Sequence, residues 1–156
     1  MAPRPILVPV DFSDCSSSAL TLAATLGDCL KVPLLVLHVV HDPNNMPGYY
    51  AKLRKKKQIH RMQDLASEML EQFLRGVSKH NPALKALNKP DQMQVTGLPV
   101  KRILEVADKL DARMIVMGSR GRTGLSKLLL GSTAAQVVQL STIPVLVAKG
   151  GEQCAL

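Results

Sequence analysis

Short runs of aliphatic residues alternate with longer amphipathic segments along nearly the whole chain, and this alternation restricts the possible folds more than any other feature. The apolar runs cover residues 6–10, 34–40, 93–96, 114–117 and 145–147. Such an order is typical of strand–helix units that feed a parallel β-sheet. The second run is almost wholly apolar, which indicates a strand buried on both faces, whereas residues 93–96 alternate and predict an outer strand. The sequence therefore predicts an α/β fold with five parallel strands.

Four segments between or beside these runs carry apolar residues at helical spacing. They extend over residues 19–30, 62–77, 100–110 and 132–140. A cluster of Ser and Asp residues precedes the first of them and can cap a helix there. Each apolar stripe is expected to lie on the sheet. Because 156 residues is the length of one compact domain, and neither the loop 41–50 nor the loop 81–91 marks a boundary, we expect a single domain over residues 1–156.

The composition argues against several classes of protein. No apolar run approaches the roughly 20 residues needed to cross a bilayer, and the first residues lack the pattern of a secretory leader. Three cysteines, Cys15, Cys29 and Cys154, are not spaced as zinc ligands, and their odd number favours a reducing compartment such as the cytoplasm. A net charge of +8 favours anionic partners, but an aromatic content of only 3% makes nucleic acid an unfavoured one.

A glycine-rich segment follows the fourth predicted strand. It contains Gly118, Gly121 and Gly124, and a second cluster, Gly131-Ser132-Thr133, opens the last predicted helix. Glycines let backbone N–H groups approach an anion, and a helix start adds further donors and the positive end of its dipole. Arg120, Arg122 and Lys127 add positive charge nearby. The pattern favours a phosphate site, although Gly118 and Gly121 can also simply end a strand, and Ser132 can simply cap a helix.

Asp11 comes directly after the first predicted strand, at the end where ligands of parallel sheets bind. A carboxylate there can accept two hydrogen bonds from sugar hydroxyls, but the same residue type also makes Asx turns and helix caps. Val39 and Val40 end the second strand and can flank a base. The Walker motif and the dinucleotide-binding motif are both absent from the sequence, so neither a kinase-like nor a dehydrogenase-like mechanism is supported.

These residues resemble the universal stress protein family. The spacing Gly118-x-x-Gly121, nine residues, then Gly131-Ser132 matches the nucleotide-binding signature of that family, and the runs Ile-Leu-Val-Pro-Val-Asp-Phe-Ser and Ile-Pro-Val-Leu-Val look like its landmarks. The resemblance spans nearly the whole chain. It implies the adenine nucleotide alpha hydrolase-like fold, an open parallel sheet of order 3-2-1-4-5 with helices on both faces. The first and fourth strands are then neighbours, and Asp11 faces the glycine-rich segment across one crevice.

The resemblance also implies the residues of a nucleotide site. Those at the ends of the first and second strands contact adenine and ribose, and the glycines, Arg120 and the hydroxyl residues contact ribose and phosphates. The complete implied set is Pro9, Val10, Asp11, Val39, Val40, Met117, Gly118, Arg120, Gly121, Gly131, Ser132 and Thr133. The implied ligand is ATP or AMP, with or without Mg²⁺.

The function implied is that of a stress-response sensor or regulator of the ATP-retaining type, with no dedicated catalytic residue. Two alternatives stay open. One is a weak Mg²⁺-dependent ATP hydrolase or phosphotransferase, with the metal held by the phosphates and by Asp11 or Ser132. The other is a dimeric interaction module that does not need a nucleotide.

The last apolar run, from Ile143 to Val147, is expected at the outer edge of the sheet, where unpaired backbone groups favour pairing with a second copy. Family members form dimers through this strand, so the resemblance implies a homodimer; coverage of the edge by residues 150–156 is the alternative. The basic run from Lys52 to Arg61 is interpreted as a solvated helix face, with an anion-binding patch as the alternative. His38 is interpreted as a strand residue and Cys15 as a buried thiol.

Overall fold

The computed structural model describes residues 3–41, 56–121 and 130–150, with the side chains of residues 56–60 left out. Strands and helices alternate as the hydrophobic pattern predicts. The elements are β1 (Ile6–Val10), α1 (Asp14–Leu30), β2 (Leu34–Val40), α2 (Lys56–His80), a short 3₁₀ helix (Lys85–Leu87), β3 (Asp91–Thr96), α3 (Pro99–Lys109), β4 (Met114–Gly118), α4 (Ser132–Leu140) and β5 (Val145–Ala148).

The five strands form one parallel sheet of order β3-β2-β1-β4-β5, which confirms the fold class and the strand order. β1 pairs with β2 along its whole length, as far as Val10 opposite His38. The ladder between β1 and β4 covers only Ile6 opposite Met114 and Leu7 opposite Ile115, at the amino-terminal ends of the strands. Since the chain winds away from β1 in both directions, the carboxyl ends of β1 and β4 border the crevice where such sheets bind ligands.

Alternating residues of the central strands fill two separate cores. Val8, Val36 and Val116 are fully buried against one face, where α1 and α2 pack. Leu7, Leu37 and Ile115 are fully buried against the other face, where α3 and α4 pack. Both faces of β1 and β2 are therefore apolar, which explains why these runs read as almost continuous hydrophobic sequence. Each buried Leu or Val side chain stabilises the fold by about 1.5–3 kcal/mol relative to exposure.

The helix ends follow from local sequence. Ser13 caps α1, and its side-chain oxygen accepts a hydrogen bond from the backbone N–H of Ser16. Pro99 occupies the first turn of α3, where its missing N–H costs nothing. Gly131, and not Ser132, is the N-cap of α4, and no side chain within residues 3–41, 56–121 and 130–150 caps this helix. The first turn of α4 therefore keeps its backbone donors available.

The expectation for α2 needs a correction. Its apolar stripe was expected to lie on the sheet throughout, and Leu70, Leu74 and Val77 do so. Residues 62, 65, 66 and 69 instead line a cavity at the carboxyl ends of the strands. Periodicity specifies which face of a helix is apolar but not what that face covers, and the amino-terminal half of α2 turns its apolar face to the cavity.

Several earlier expectations fall partly or wholly outside the described residues. These are Cys154, Gly124, Arg122, Lys127 and most of the basic run from Lys52 to Arg61. Within residues 3–41, 56–121 and 130–150, no helix combines the length and the apolar composition that a membrane span requires.

Candidate functional site

A cavity of about 500 Å³ lies at the carboxyl ends of β1, β2 and β4. All twelve residues named from the sequence line it: Pro9, Val10, Asp11, Val39, Val40, Met117, Gly118, Arg120, Gly121, Gly131, Ser132 and Thr133. The short β1–β4 ladder and the loops that follow both strands explain why this place is open. The structure thus brings together residues separated by more than a hundred positions in sequence.

The carboxylate of Asp11 is held in a fixed orientation. Its Oδ1 accepts hydrogen bonds from the backbone N–H of Ser13 at 3.1 Å and from the hydroxyls of Ser13 and Ser16. The Asp11 N–H in turn donates to Ser16 Oγ at 3.0 Å. Asp11 therefore makes the Asx turn considered as the alternative interpretation, and it lines the cavity at the same time. Because the Asx turn holds Oδ1, it also fixes the direction of the other carboxylate oxygen, Oδ2.

That second oxygen lies against Gly121. A Cβ atom placed on Gly121 would be 2.7 Å from Asp11 Oδ2, closer than real Cβ contacts allow. The backbone after β4 therefore approaches the carboxylate as closely as it does only because Gly121 has no side chain. This contact joins the group suited to sugar hydroxyls with the loop suited to phosphates.

The two halves of the glycine motif also touch. The N–H of Gly131 donates to the carbonyl of Ser119 at 2.8 Å. A Cβ on Gly131 would lie 3.2 Å from that carbonyl oxygen and 3.3 Å from Arg120 Cα. The start of α4 is thus fixed against the loop after β4, and Ser132 and Thr133 in its first turn face the same cavity. Backbone donors at this position, where no side chain in the described part of the chain caps the helix, can bind anionic oxygens.

Gly118 is required for a different reason. A Cβ there would lie 2.8 Å from both the carbonyl carbon and the Cβ of Cys15, in α1. Gly118 lines the cavity. The space that its side chain would fill is occupied by Cys15 of α1. The contact with α1 is therefore a reason for glycine here that does not involve an anion, and the expected contact of Gly118 with a nucleotide stays a prediction.

Comparison with known proteins shows the family of this chain. Residues 3–149 match the sequence model of the Universal stress protein family. The chain is 30% identical over 154 residues to Universal stress protein MJ0531 of Methanocaldococcus jannaschii, covering 94% of this chain and 82% of that protein. It is 31% identical over 147 residues to Universal stress protein YxiE of Bacillus subtilis, covering 92% of this chain and 97% of that protein.

The chain belongs to the universal stress protein family. Solved structures show the same fold: UspA from Lactobacillus plantarum superposes with a TM-score of 0.75 at 23% identity, over 95% of this chain and 99% of that one. A universal stress protein from Archaeoglobus fulgidus, solved in complex with dAMP, superposes with a TM-score of 0.63 at 25% identity, over 96% of this chain and all of that one. This universal stress protein therefore has the adenine nucleotide alpha hydrolase-like fold.

Besides the position of the His38 ring, three features of the cavity in this universal stress protein were not predicted from the sequence. Ser16 is 3% exposed and holds Asp11, which only the fold of the β1–α1 turn reveals. Phe12 has a φ of 66°, a left-handed conformation that aromatic residues rarely adopt, and its ring stacks on His38 at 4.3 Å between centroids. The third is the apolar wall from α2, formed by Met62, Leu65, Ala66 and Met69.

His38 and Cys15 occupy the places expected of them. His38 lies in β2, and its Nδ1 is 2.9 Å from the carbonyl oxygen of Val10. Its ring also lines the cavity beside Phe12, which the sequence did not indicate. Cys15 is buried in the first turn of α1, with Sγ 3.9 Å from Ser119 Oγ.

Proposed function

We propose that this universal stress protein binds an adenine nucleotide, ATP or AMP, in the cavity and acts as a stress-response sensor or regulator rather than as an efficient enzyme. The contact between Asp11 Oδ2 and Gly121 is the observation that carries the proposal. It sets a fixed acceptor for ribose hydroxyls directly beside a loop of backbone donors. A nucleotide is a ligand class that presents a diol and an anion at such a short separation.

The rest of the cavity fits the same ligand. The backbone after β4 and the first turn of α4 supply N–H and hydroxyl donors for phosphate oxygens, and Arg120 supplies a positive charge. Val39, Val40 and Met117 supply apolar surface for the base. The dAMP bound to the Archaeoglobus fulgidus relative supports adenine as that base.

The contacts of such a site can supply the free energy that nucleotide binding requires. Micromolar affinity corresponds to about 8 kcal/mol. Charge-assisted hydrogen bonds contribute about 1.5–3 kcal/mol each, and burial of the base adds to them. Ordering of the ligand opposes part of this gain, so micromolar affinity is the scale that we expect.

The contacts of the titratable groups favour binding over hydrolysis. Asp11 is the one carboxylate among the described residues that line the cavity, and its Oδ1 already accepts three hydrogen bonds. In the described part of the chain, no three His, Cys, Asp or Glu side chains cluster as metal ligands do. A Mg²⁺ ion bound with the nucleotide would be held by the phosphates and by Asp11 or Ser132, and it would neutralise phosphate charge. Weak hydrolysis is accordingly the second candidate.

The edge strand β5 supports assembly of two copies. β5 pairs with β4 on one side and forms the end of the sheet on the other. Leu146 in this strand is 39% exposed, and Val138 and Leu140 of the adjoining α4 are also exposed. A second copy pairing along β5 would bury these side chains and satisfy the outer backbone groups. A homodimer in the cytoplasm is the form in which we expect the protein to act.

Calorimetric titration with ATP, ADP and AMP tests the binding proposal. We expect heat from at least one nucleotide at micromolar concentration, and a loss of at least about tenfold in affinity in Asp11→Asn, because the amide removes one acceptor. Asp14→Asn removes the same charge from an exposed position three residues later and is the matched control. The absence of heat from all three nucleotides would refute the proposal. A strain carrying Asp11→Asn that survives stress as well as wild type would refute the sensor role and leave an interaction module.

A further inference from the structure

The amino-terminal half of α2 forms one wall of the cavity. Met62, Leu65, Ala66 and Met69 follow the i, i+3, i+4, i+7 spacing of a single helix face. Leu65 is 56% exposed and Met62 is 37% exposed, so this part of the helix is only lightly packed. The core contacts of α2 lie further along, at Leu70, Leu74 and Val77. Of these four residues Ala66 alone is buried, so the core holds this half of α2 less firmly than the half that follows.

Polar side chains fasten this half of α2 to the edge strand β3. Gln94 bridges two turns of the helix: its Nε2 donates to the carbonyl of Gln63 at 3.1 Å, and its Oε1 accepts from Ser67 Oγ at 2.8 Å. Gln63 Nε2 donates to Thr96 Oγ1 at 3.3 Å. Gln63, Ser67, Gln94 and Thr96 are called the polar clamp below. Both ends of the Gln94 amide are used, so the clamp fixes the helix in register with the strand.

The strand that carries the clamp is itself tied to the cavity. Thr96 lies opposite Val40 in the sheet, and the N–H of the next residue, Gly97, donates to the Val40 carbonyl at 2.9 Å. Arg102 Nε of α3 donates to the Thr96 carbonyl at 2.9 Å. The clamp thus links the α2 wall to Val40, which lines the cavity from the end of β2.

We propose that the polar clamp positions the α2 wall against the base of the bound nucleotide and so contributes to selection of the ligand. The proposal rests on the nucleotide-binding function proposed above. The side chains of α2 that the structure describes at the cavity are all apolar, and the base is the uncharged, planar part of a nucleotide. If the wall is loose, part of the binding free energy is spent on ordering it. The apparent association constant then equals the intrinsic one multiplied by the fraction of molecules that have the wall in place.

The test compares a ligand that has the base with one that lacks it. Gln94→Met keeps the length of the side chain but removes both hydrogen bonds. We expect AMP to bind about fivefold more weakly to this variant, the effect of losing about one net hydrogen bond. The affinity for ribose 5-phosphate, followed by phosphorus NMR up to tens of millimolar, should not change. Gln92→Met, two residues earlier on the same strand and outside the clamp, is the control and should bind AMP as wild type does.

A second pair of variants separates hydrogen bonding from general damage to the helix. Ser67→Ala loses the hydroxyl donor and should weaken AMP binding in the same direction, whereas Ser67→Thr keeps the hydroxyl and should retain the wild-type affinity. An equal loss of AMP and ribose 5-phosphate affinity in Gln94→Met would overturn the proposal, because the wall would then not act on the base. An unchanged AMP affinity would overturn it as well.

Amide hydrogen exchange tests the clamp without any ligand. Residues 62–70 should exchange at least about fivefold faster in Gln94→Met than in wild type, with exchange in β1 unaltered. Exchange unchanged in this segment would show that the clamp does not hold the helix. If wild type binds no AMP while exchange responds as expected, the proposed nucleotide binding is refuted. The polar clamp is then shown to order α2 but not to act on a ligand.

Discussion

Asp11 and Gly121 lie in contact across the crevice between β1 and β4, although 110 positions separate them in the sequence. Asp11 Oδ2 lies 2.7 Å from the position that a Cβ atom on residue 121 would take. The carboxylate cannot turn away easily, because Ser13 and Ser16 hold its other oxygen. Any side chain at position 121 must therefore displace the loop after β4.

Replacement of Gly121 by Ala is expected to weaken nucleotide binding by at least about tenfold, equivalent to about 1.4 kcal/mol. The added Cβ would lie 2.7 Å from Asp11 Oδ2 and push the loop out of position. Because Gly121 is exposed, the free energy of unfolding should change by less than about 1 kcal/mol. Calorimetric titration measures the first effect and urea denaturation the second.

Gly76→Ala is the matched control for this substitution. Gly76 lies within α2, and a Cβ there would meet no atom within 4 Å. Alanine is the better helix former, so the free energy of unfolding should rise by about 0.5–1 kcal/mol. Nucleotide affinity should stay at the wild-type value. Equal affinities of Gly121→Ala and Gly76→Ala would contradict the role given to the contact between Asp11 and Gly121.

Gly118→Ala is expected mainly to lower the stability of the fold. Its Cβ would lie 2.8 Å from the Cys15 backbone, which cannot move without shifting the start of α1. We expect the free energy of unfolding to fall by about 1–3 kcal/mol, the usual range for overpacking. Chemical denaturation monitored by circular dichroism measures this. A variant with wild-type stability and no nucleotide binding would show that Gly118 is needed for the ligand and not for the packing of α1.

The contrast between these two glycines shows what sequence alone supports. The alternation of apolar runs predicts the five strands, and the family resemblance supplies their order. Motif spacing places Gly118 and Gly121 in one loop, but it does not distinguish them. Only the fold shows that Gly118 contacts α1 while Gly121 contacts Asp11.

Residues that contribute to the site by holding another residue in position are harder still to predict. Ser16 looks like one of several serines at the start of α1, and Gln94 looks like one polar residue of an alternating strand. Their roles depend on which atoms the fold brings within hydrogen-bond distance, and no local periodicity carries that information. Met62 and Leu65 are a related case, because their spacing is the same whether the helix covers a sheet or a cavity.

Ser16→Ala tests the support of Asp11. Ser16 Oγ donates to Asp11 Oδ1 and accepts from the Asp11 N–H, and the residue is 3% exposed. Loss of both bonds in a buried position should lower the free energy of unfolding by about 1–3 kcal/mol. Affinity for AMP should fall as well, because the carboxylate gains freedom to turn.

Ser18→Ala removes a hydroxyl from the same helix two residues later, where it donates to the backbone carbonyl of Asp14 at 3.1 Å. It should leave both the stability and the affinity near their wild-type values. If the two serine variants behave alike in calorimetry and in denaturation, Ser16 has no special part in orienting Asp11.

Leu146→Lys tests the proposed pairing of two copies along β5. Leu146 is 39% exposed on the edge strand, and a lysine there would face its own copy across the interface. Like charges at a two-fold interface, together with the loss of apolar burial, should convert the dimer to a monomer. Leu30→Lys is the control, since Leu30 is 45% exposed at the end of α1, far along the chain from β5. Sedimentation velocity should show a dimer for wild type and Leu30→Lys and a monomer for Leu146→Lys. A monomeric wild type would remove the dimer from the proposal, and a dimeric Leu146→Lys would place the interface on another surface.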